Sequence, residues 1–307
     1  MHPDVIVIGS LNMDLVVRAP RLPKGGETLA GHSFATAPGG KGANQAVAAA
    51  RLGATVAMIG CVGADPYGDF LTRSLVQEGI DCRGVSVAAE VPTGIASILV
   101  DAEGQNAIVI VAGGNGELSA AHLQAQESLL AEAKIVIAQL EVPLETVGDA
   151  LARAHALGKT VILNPAPATG PLPAEWYAHI DYLVPNESEA SLLTGLPVGN
   201  LQEAEAAARQ LIAAGARQVL LTLGGQGLLQ VTADSCRHHP ATPVKAVDTT
   251  AAGDTFLGGF AAGLAEGLDV EAAIALGQQA AAIAVTRPGA QPSIPCPLYP
   301  SPTPRDS

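Results

Sequence analysis

Short apolar runs that stop at a glycine or a polar residue, most of them followed by a longer helix-forming stretch, recur along this chain and restrict its fold more than any other feature. Asp4 to Ile8, Thr55 to Gly60, Lys134 to Leu140, Thr160 to Leu163, Tyr182 to Val184 and Gln218 to Leu223 read as buried strands. Runs of β-branched and aliphatic residues of that length need apolar cover on both faces. Residues 46–52, 69–78, 119–133, 143–157, 187–195, 201–214, 253–266 and 270–285 read as helices. Strand and helix in alternation imply right-handed βαβ units, so the expected fold is α/β: a doubly wound, mostly parallel sheet with helices on both faces. The composition agrees, being 48% hydrophobic but only 3% aromatic, so Ala, Val, Leu and Ile supply the cover.

Two stretches, 12–37 and 91–112, break the alternation. Leu15 to Arg18 and Thr28 to Ala37 read as extended, and Thr93 to Val100 and Ala107 to Val111 flank the turn Asp101 to Asn106. These segments are expected to pair in space as a small β-sheet lid over the substrate side. Residues 1–11, 38–90 and 113–295 would then form the α/β body. The Pro-rich tail, 296–307, reads as poorly ordered.

Polar residues gather where strands end, which is where open α/β sheets bind ligands. Asn12 and Asp14 follow the first strand, Gln139 and Glu141 the run at 134–140, Asn164 the next, and Asn186, Glu187 and Glu189 the one after. Singly, each is as well explained as a turn or cap residue. Gly39-Gly40-Lys41-Gly42-Ala43-Asn44-Gln45 opens a helix with adjacent glycines, but Gly42 stands where a P-loop has Ser or Thr. Gly224-Gly225-Gln226-Gly227 suits either a tight turn or a backbone laid against a ligand. Val244 to Val247 reads as an apolar strand leading into Asp248-Thr249-Thr250-Ala251-Ala252-Gly253-Asp254-Thr255. Amides at the helix start there suit an anion, and the carboxylate of Asp254 beside them is either a helix cap or a base next to a phosphoryl group in flight.

The Gly39–Gln45 and Asp248–Thr255 motifs together resemble the two signatures of the ribokinase-like (carbohydrate kinase) family. Asn164-Pro165-Ala166-Pro167-Ala168, Pro185-Asn186-Glu187-Ser188-Glu189, Thr222-Leu223-Gly224-Gly225 and Ala284 to Gln291 extend the likeness over almost the whole chain. The resemblance implies transfer of the ATP γ-phosphoryl group to the 5-hydroxyl of ribose. It makes Asp254 the catalytic base, with Ala251, Ala252 and Gly253 as an anion hole. Asn12, Asp14, Gly40, Lys41, Gly42, Asn44 and Glu141, with Asp254, match the sugar-binding positions. Asn186 and Glu189 match an element associated with Mg2+ and phosphate. Thr222, Leu223, Gly224, Gly225, Gln226, Gly227, Gly253 and Gln278 match the nucleotide side. Asp248, Thr250, Val285, Pro288 and Ala290 match a potassium site, and the lid matches a homodimer interface. Met13 and the Pro-rich tail depart from the family pattern. A deoxyribose or nucleoside kinase is the alternative within the family. A catalytically silent sugar- or nucleotide-binding protein is the alternative outside it, and Asp254, Lys41 and the Asn186/Glu189 pair speak against it.

A formal charge of −13 disfavours polyanions, so neither nucleic acid nor an anionic membrane surface is an expected partner. Cys61, Cys82, Cys236 and Cys296 lack metal-ligand spacing and read as free thiols. With no secretory pattern at the N-terminus, a soluble, cytoplasmic location is expected.

Overall fold

A computed structural model describes residues 2–296, so the expected Pro-rich tail lies, beyond Cys296, outside the described residues. In chain order the elements are β1 (Val5–Ile8), β2 (Asn12–Arg18), β3 (Ser33–Gly39), α1 (Lys41–Arg51), β4 (Val56–Gly63), α2 (Pro66–Gln77), β5 (Asp81–Ala88), β6 (Gly94–Val100) and β7 (Asn106–Val111). Then follow α3 (Ala120–Ala125), α4 (Glu127–Glu132), β8 (Ile135–Ala138), α5 (Leu144–Ala156), β9 (Thr160–Leu163), β10 (Tyr182–Leu183), α6 (Glu187–Thr194) and α7 (Leu201–Ala213). Last come β11 (Gln218–Thr222), β12 (Leu228–Val231), β13 (Cys236–His239), α8 (Ala252–Glu266) and α9 (Val270–Ala284).

Nine strands form one sheet in the order β13-β12-β11-β10-β9-β8-β1-β4-β5. It is parallel from β11 to β5, and near one edge β12 runs antiparallel to both of its neighbours, β11 and β13. In β1 the pleat sends Ile6 and Ile8 to one core, with Leu151, Trp176 and Leu211, and Val5 and Val7 to the other, with Phe260 and Ile274. Every residue of β1 is buried, as its unbroken apolar run requires. The chain first builds outward from β1 through β4 to β5, then returns to β8 on its other side and builds away. That reversal makes the β1/β8 boundary the switch point, where a crevice opens at the carboxyl ends of the strands.

The interrupting segments do pair as a separate four-stranded sheet, β3-β2-β6-β7. Its central pair, β2 and β6, is parallel and its outer pairs are antiparallel. β2 follows β1 after only three residues, so the small sheet stands directly over the switch point.

Several expectations are corrected. Val244 to Val247 is not a strand but an irregular strip with Val247 65% exposed; no neighbouring strand is there to pair with it. The expected helix 119–133 is two helices broken at Gln126. The helix expected from Ala46 starts at Lys41, and only residues 33–37 of the extended stretch 28–37 lie in a strand. β5 and β13 were not anticipated: Asp81-Cys82-Arg83 and Cys236-Arg237-His238-His239 are polar edge sequences with little apolar signal. Among the described residues, no helix is long and apolar enough to cross a membrane.

α8 packs against both α1 and α9 almost backbone to backbone. A Cβ at Gly258 would lie 2.7 Å from the amide nitrogen of Ala49 and 2.8 Å from the carbonyl oxygen of Gln45; one at Gly277 would lie 2.5 Å from the carbonyl of Phe256. Gly258→Ala is therefore expected to cost about 1–3 kcal/mol in chemical denaturation. Gly225→Ala, where a Cβ meets nothing within 4 Å, should move stability by less than about 0.5 kcal/mol.

Candidate active site

The sheet brings Ser10 and Glu141 together at the carboxyl ends of β1 and β8. The Ser10 hydroxyl donates to Glu141 Oε2 at 2.6 Å, and the Lys41 amide, at the start of α1, donates to the same oxygen at 3.0 Å. A carboxylate at a helix start is favoured by the unpaired amides and the helix dipole. Gly42 lets α1 come this close, since a Cβ there would lie 2.6 Å from the Ser10 nitrogen. A Cβ at Gly40 (φ +90°) would lie 2.8 Å from the Asn12 nitrogen, so Gly40 and Gly42 both serve close backbone approach.

On β2, alternation separates Met13, which packs in the core with Val62 and Leu71, from Asn12 and Asp14 on the other face. Met13, which departs from the family pattern, thus has its side chain in the core. Burial, reinforced by the charges of Glu141 and Asp254, pushes the Asp14 carboxyl up to about 7. Burial works against the Lys41 ammonium, but the carboxylates of Asp254, Glu141 and Glu189 outweigh it and hold Lys41 above its ordinary value. Lys41 is thus a fixed cation set among three carboxylates.

Asp254 lies in the first turn of α8 and is 7% exposed. Its Oδ2 accepts from the Asn44 amide at 3.0 Å and its Oδ1 from the Gln45 amide at 2.9 Å, both from α1. Asn44 Oδ1 is buried and unpartnered within the described residues. Ala251, at φ 58°, is the sole non-glycine residue with positive φ among the described residues, and it turns the chain sharply into α8. Within the described residues the amides of Ala251, Gly253 and Asp254 make no hydrogen bond, whereas Ala252 donates to Thr249 at 3.2 Å. Of the amides expected to form an anion hole, those of Ala251 and Gly253 are therefore free, as is Asp254's own, while that of Ala252 is engaged.

A cavity of about 710 Å³ runs from Lys41 and Asp254 past Ala251, Ala252 and Gly253 to Thr222, Gly224, Gly225, Gly227 and Gln278. Its far wall is apolar, with Leu228, Val244, Ala281 and Val285, a mix of apolar walls and a few polar groups that suits a nucleotide-sized ligand. Asn186 and Glu189 line it too. They are also a reciprocal cap on α6: Glu189 accepts at both oxygens from the amide and side chain of Asn186, each at 2.9 Å. Leu223 is buried behind the cavity, and Gln226 faces away, its carbonyl accepting from His238 at 2.7 Å. Asn12, Asp14, Asn44 and Glu141 sit beyond the cavity, next to its Lys41/Asp254 end.

The segment 285–290 meets the segment before α8. Asp248 Oδ2 accepts from the Gly289 amide at 2.9 Å, its Oδ1 from the amide and hydroxyl of Thr250, and its own amide donates to the Val285 carbonyl at 3.2 Å. Asp248, Thr250, Val285, Pro288 and Ala290 are thus brought into one neighbourhood. No group of three or more His, Cys, Asp or Glu side chains that could hold a metal ion occurs among the described residues.

The pfkB family carbohydrate kinase model matches residues 2–297. The chain belongs to that family. It is 44% identical over 295 residues to the ribokinase of Haemophilus influenzae, covering 96% of each chain. It is 41% identical over 292 residues to the deoxyribokinase of Salmonella typhi, covering 95% of each. The structure of Arabidopsis thaliana ribokinase complexed with ribose and ATP superposes with a TM-score of 0.90 at 33% identity, covering 96% of each chain. Both sheets of this pfkB-family fold agree with the architecture expected from sequence.

Ser10, Gln45 and Asn115 are site-building residues that escaped the residue-level reading. Asn115, 1% exposed, accepts from the Leu11 amide at 2.8 Å and donates to the Leu11 carbonyl at 3.1 Å and Asn12 Oδ1 at 2.7 Å. It ties the end of the small sheet to the start of β2. Its only sequence signal was a lone Asn among glycines, Gly113-Gly114-Asn115-Gly116.

The raised Asp14 carboxyl gives a stability prediction. Between its ordinary 3.8 and about 7 the folded chain holds a proton that the unfolded chain has released, so this group's contribution to stability falls as pH rises through that window. Asp14→Asn should therefore melt above the parent at about pH 8, with the gap closing toward about pH 4 in thermal unfolding scans.

Proposed function

We propose that this chain transfers the γ-phosphoryl group of ATP to the 5-hydroxyl of D-ribose, giving ribose 5-phosphate and ADP. One observation carries the reading: a buried carboxylate, Asp254, held at both oxygens, stands at one end of a nucleotide-sized cavity beside the free amides of a helix start. The relatives support it, because ribokinases match over nearly the whole chain and one of them is complexed with ribose and ATP.

In this reading the sugar lies against Asn12, Asp14, Lys41, Asn44 and Glu141, where carboxylates accept from vicinal hydroxyls while amides and the ammonium donate. Asp254 takes the proton of the attacking hydroxyl as its oxygen bonds to the γ-phosphorus, and the bond from that phosphorus to the bridging oxygen breaks to leave ADP. The amides of Ala251 and Gly253 and the Lys41 ammonium meet the charge on the transferring group. Adenine lies toward Gln278 and the apolar wall, with Thr222, Gly224, Gly225 and Gly227 against the rest of the nucleotide.

Asn186 and Glu189 would hold hydrated Mg2+ through water, since the cap occupies both Glu189 oxygens; the ion would neutralise phosphate charge. The oxygen-rich neighbourhood of Asp248, Thr250, Val285, Pro288 and Ala290 suits K+, which would stiffen the loop before α8. We take residues 12–37 and 91–112 as the lid and as a homodimer interface. β7 supports the latter: it is exposed along its whole length, with Ile108, Val109, Ile110 and Val111 each about half exposed or more. Four free cysteines support a reducing, cytoplasmic setting.

Because a deoxyribokinase is 41% identical, 2-deoxyribose is the competing substrate. A coupled ADP-release assay with ATP and Mg2+, with and without K+, over ribose, 2-deoxyribose, fructose and nucleosides should give ribose the highest kcat/KM; a higher value for another sugar reassigns the substrate. Asp254→Asn should lower kcat by about 10² to 10⁴ while ribose still binds in calorimetry. Turnover near that of the parent would remove Asp254 from the role of base.

A further inference from the structure

We propose that Gln45 is a positioning residue for phosphoryl transfer: it aims the Asp254 carboxylate without touching either substrate. The inference rests on Asp254 being the base.

Gln45 is completely buried and does not line the cavity, yet every hydrogen-bonding atom of its amide is used. Nε2 donates to Asp254 Oδ1 at 2.9 Å and to Asn164 Oδ1 at 3.1 Å, while Oε1 accepts from Gln139 Nε2 at 2.6 Å. The orientation of these amides follows from a fixed end. Asn164 Nδ2 donates to the Val184 carbonyl at 2.9 Å, and a backbone carbonyl can only accept, so Asn164 must present its oxygen to Gln45. Gln45 must then present its nitrogen to both Asn164 and Asp254, which leaves its oxygen for Gln139. The direction of the amide next to the base is thus set from the ends of the β-strands, through Asn164 and Gln139 just past β9 and β8, rather than by α1 alone.

Asn44 differs. It too donates to Asp254, but its Oδ1 has no partner within the described residues, so it keeps a free acceptor for a ligand. Gln45 has no atom left for one. Losing it should therefore lower turnover and leave sugar affinity in place, whereas losing Asn44 should change both.

Gln45→Leu keeps the volume and removes the hydrogen bonds. On the sugar that the parent enzyme turns over fastest, we expect kcat to fall about 10-fold to 100-fold, the cost of a slightly misplaced reacting group. The sugar Kd by calorimetry and the KM for ATP should stay within about threefold. A folded Gln45→Leu enzyme with kcat within about twofold of the parent, or one that loses sugar binding and kcat in equal measure, overturns the proposal. If Gln45→Leu does not fold, Gln139→Met decides: it frees Gln45 Oε1 without touching Asp254, so a kcat loss with sugar affinity kept supports the proposal and a parental kcat overturns it. Asp254→Asn separates the two readings: unimpaired turnover there removes the base itself, while its loss together with an unimpaired Gln45→Leu removes only the role of Gln45.

Discussion

The site depends on how closely two helices approach. α8 carries Asp254 and α1 carries Asn44 and Gln45, and the carboxylate can be held by both amides only if the helix backbones nearly touch. Gly258 allows this, since a Cβ there would lie within 2.8 Å of the carbonyl of Gln45 itself. The same glycine that brings the helices together thus sits against the residue that orients the carboxylate. Packing and chemistry share one contact, so strain at Gly258 would be felt at Asp254.

Around that contact the charges are arranged rather than merely collected. Glu141, Glu189 and Asp254 surround one ammonium, Lys41, in a largely buried place, and Asp14 lies close to two of them, Glu141 and Asp254. Such an arrangement opposes folding stability, which the raised Asp14 carboxyl reflects. Three of these four carboxylates have a separate local compensation. Glu141 takes the Ser10 hydroxyl and the amide of Lys41, Glu189 takes its own N-cap, and Asp254 takes two side-chain amides. Asp14 has no such partner among the described residues, and a polyol would supply hydroxyl donors there.

The small sheet is tied in by buried and half-buried side-chain contacts. Asn115 grips both backbone groups of Leu11 and the side chain of Asn12, and Asp65 accepts from the amide and hydroxyl of Thr93 at 2.7 Å each. Both lie where the sheet joins the body, and Asn12 is itself one of the proposed sugar-binding residues. Movement of the sheet would therefore be felt directly at the sugar side.

The buried runs such as Val5–Ile8 and Thr160–Leu163 and the small-residue helix start at Ala251-Ala252-Gly253 were legible in the sequence, whereas the helix at Lys41 was expected only from Ala46. Each rests on short-range physics: side-chain periodicity, backbone entropy and the unpaired amides of a first helical turn. Lone edge strands with polar residues, β5 and β13, were not legible, because their pairing comes from a neighbouring strand rather than from their own pattern. Nor could the sequence tell whether Glu189 was a cap or a ligand, which way Met13 pointed, or what held Asp254. Asn44 and Gln45 lie 210 and 209 residues from Asp254, and their meeting is a result of sheet order and glycine-permitted helix packing. The sequence alone determined which chemical groups were available and which elements carried them; the tertiary structure decided which of those groups meet, because contact between distant residues is set by how closely whole elements can pack.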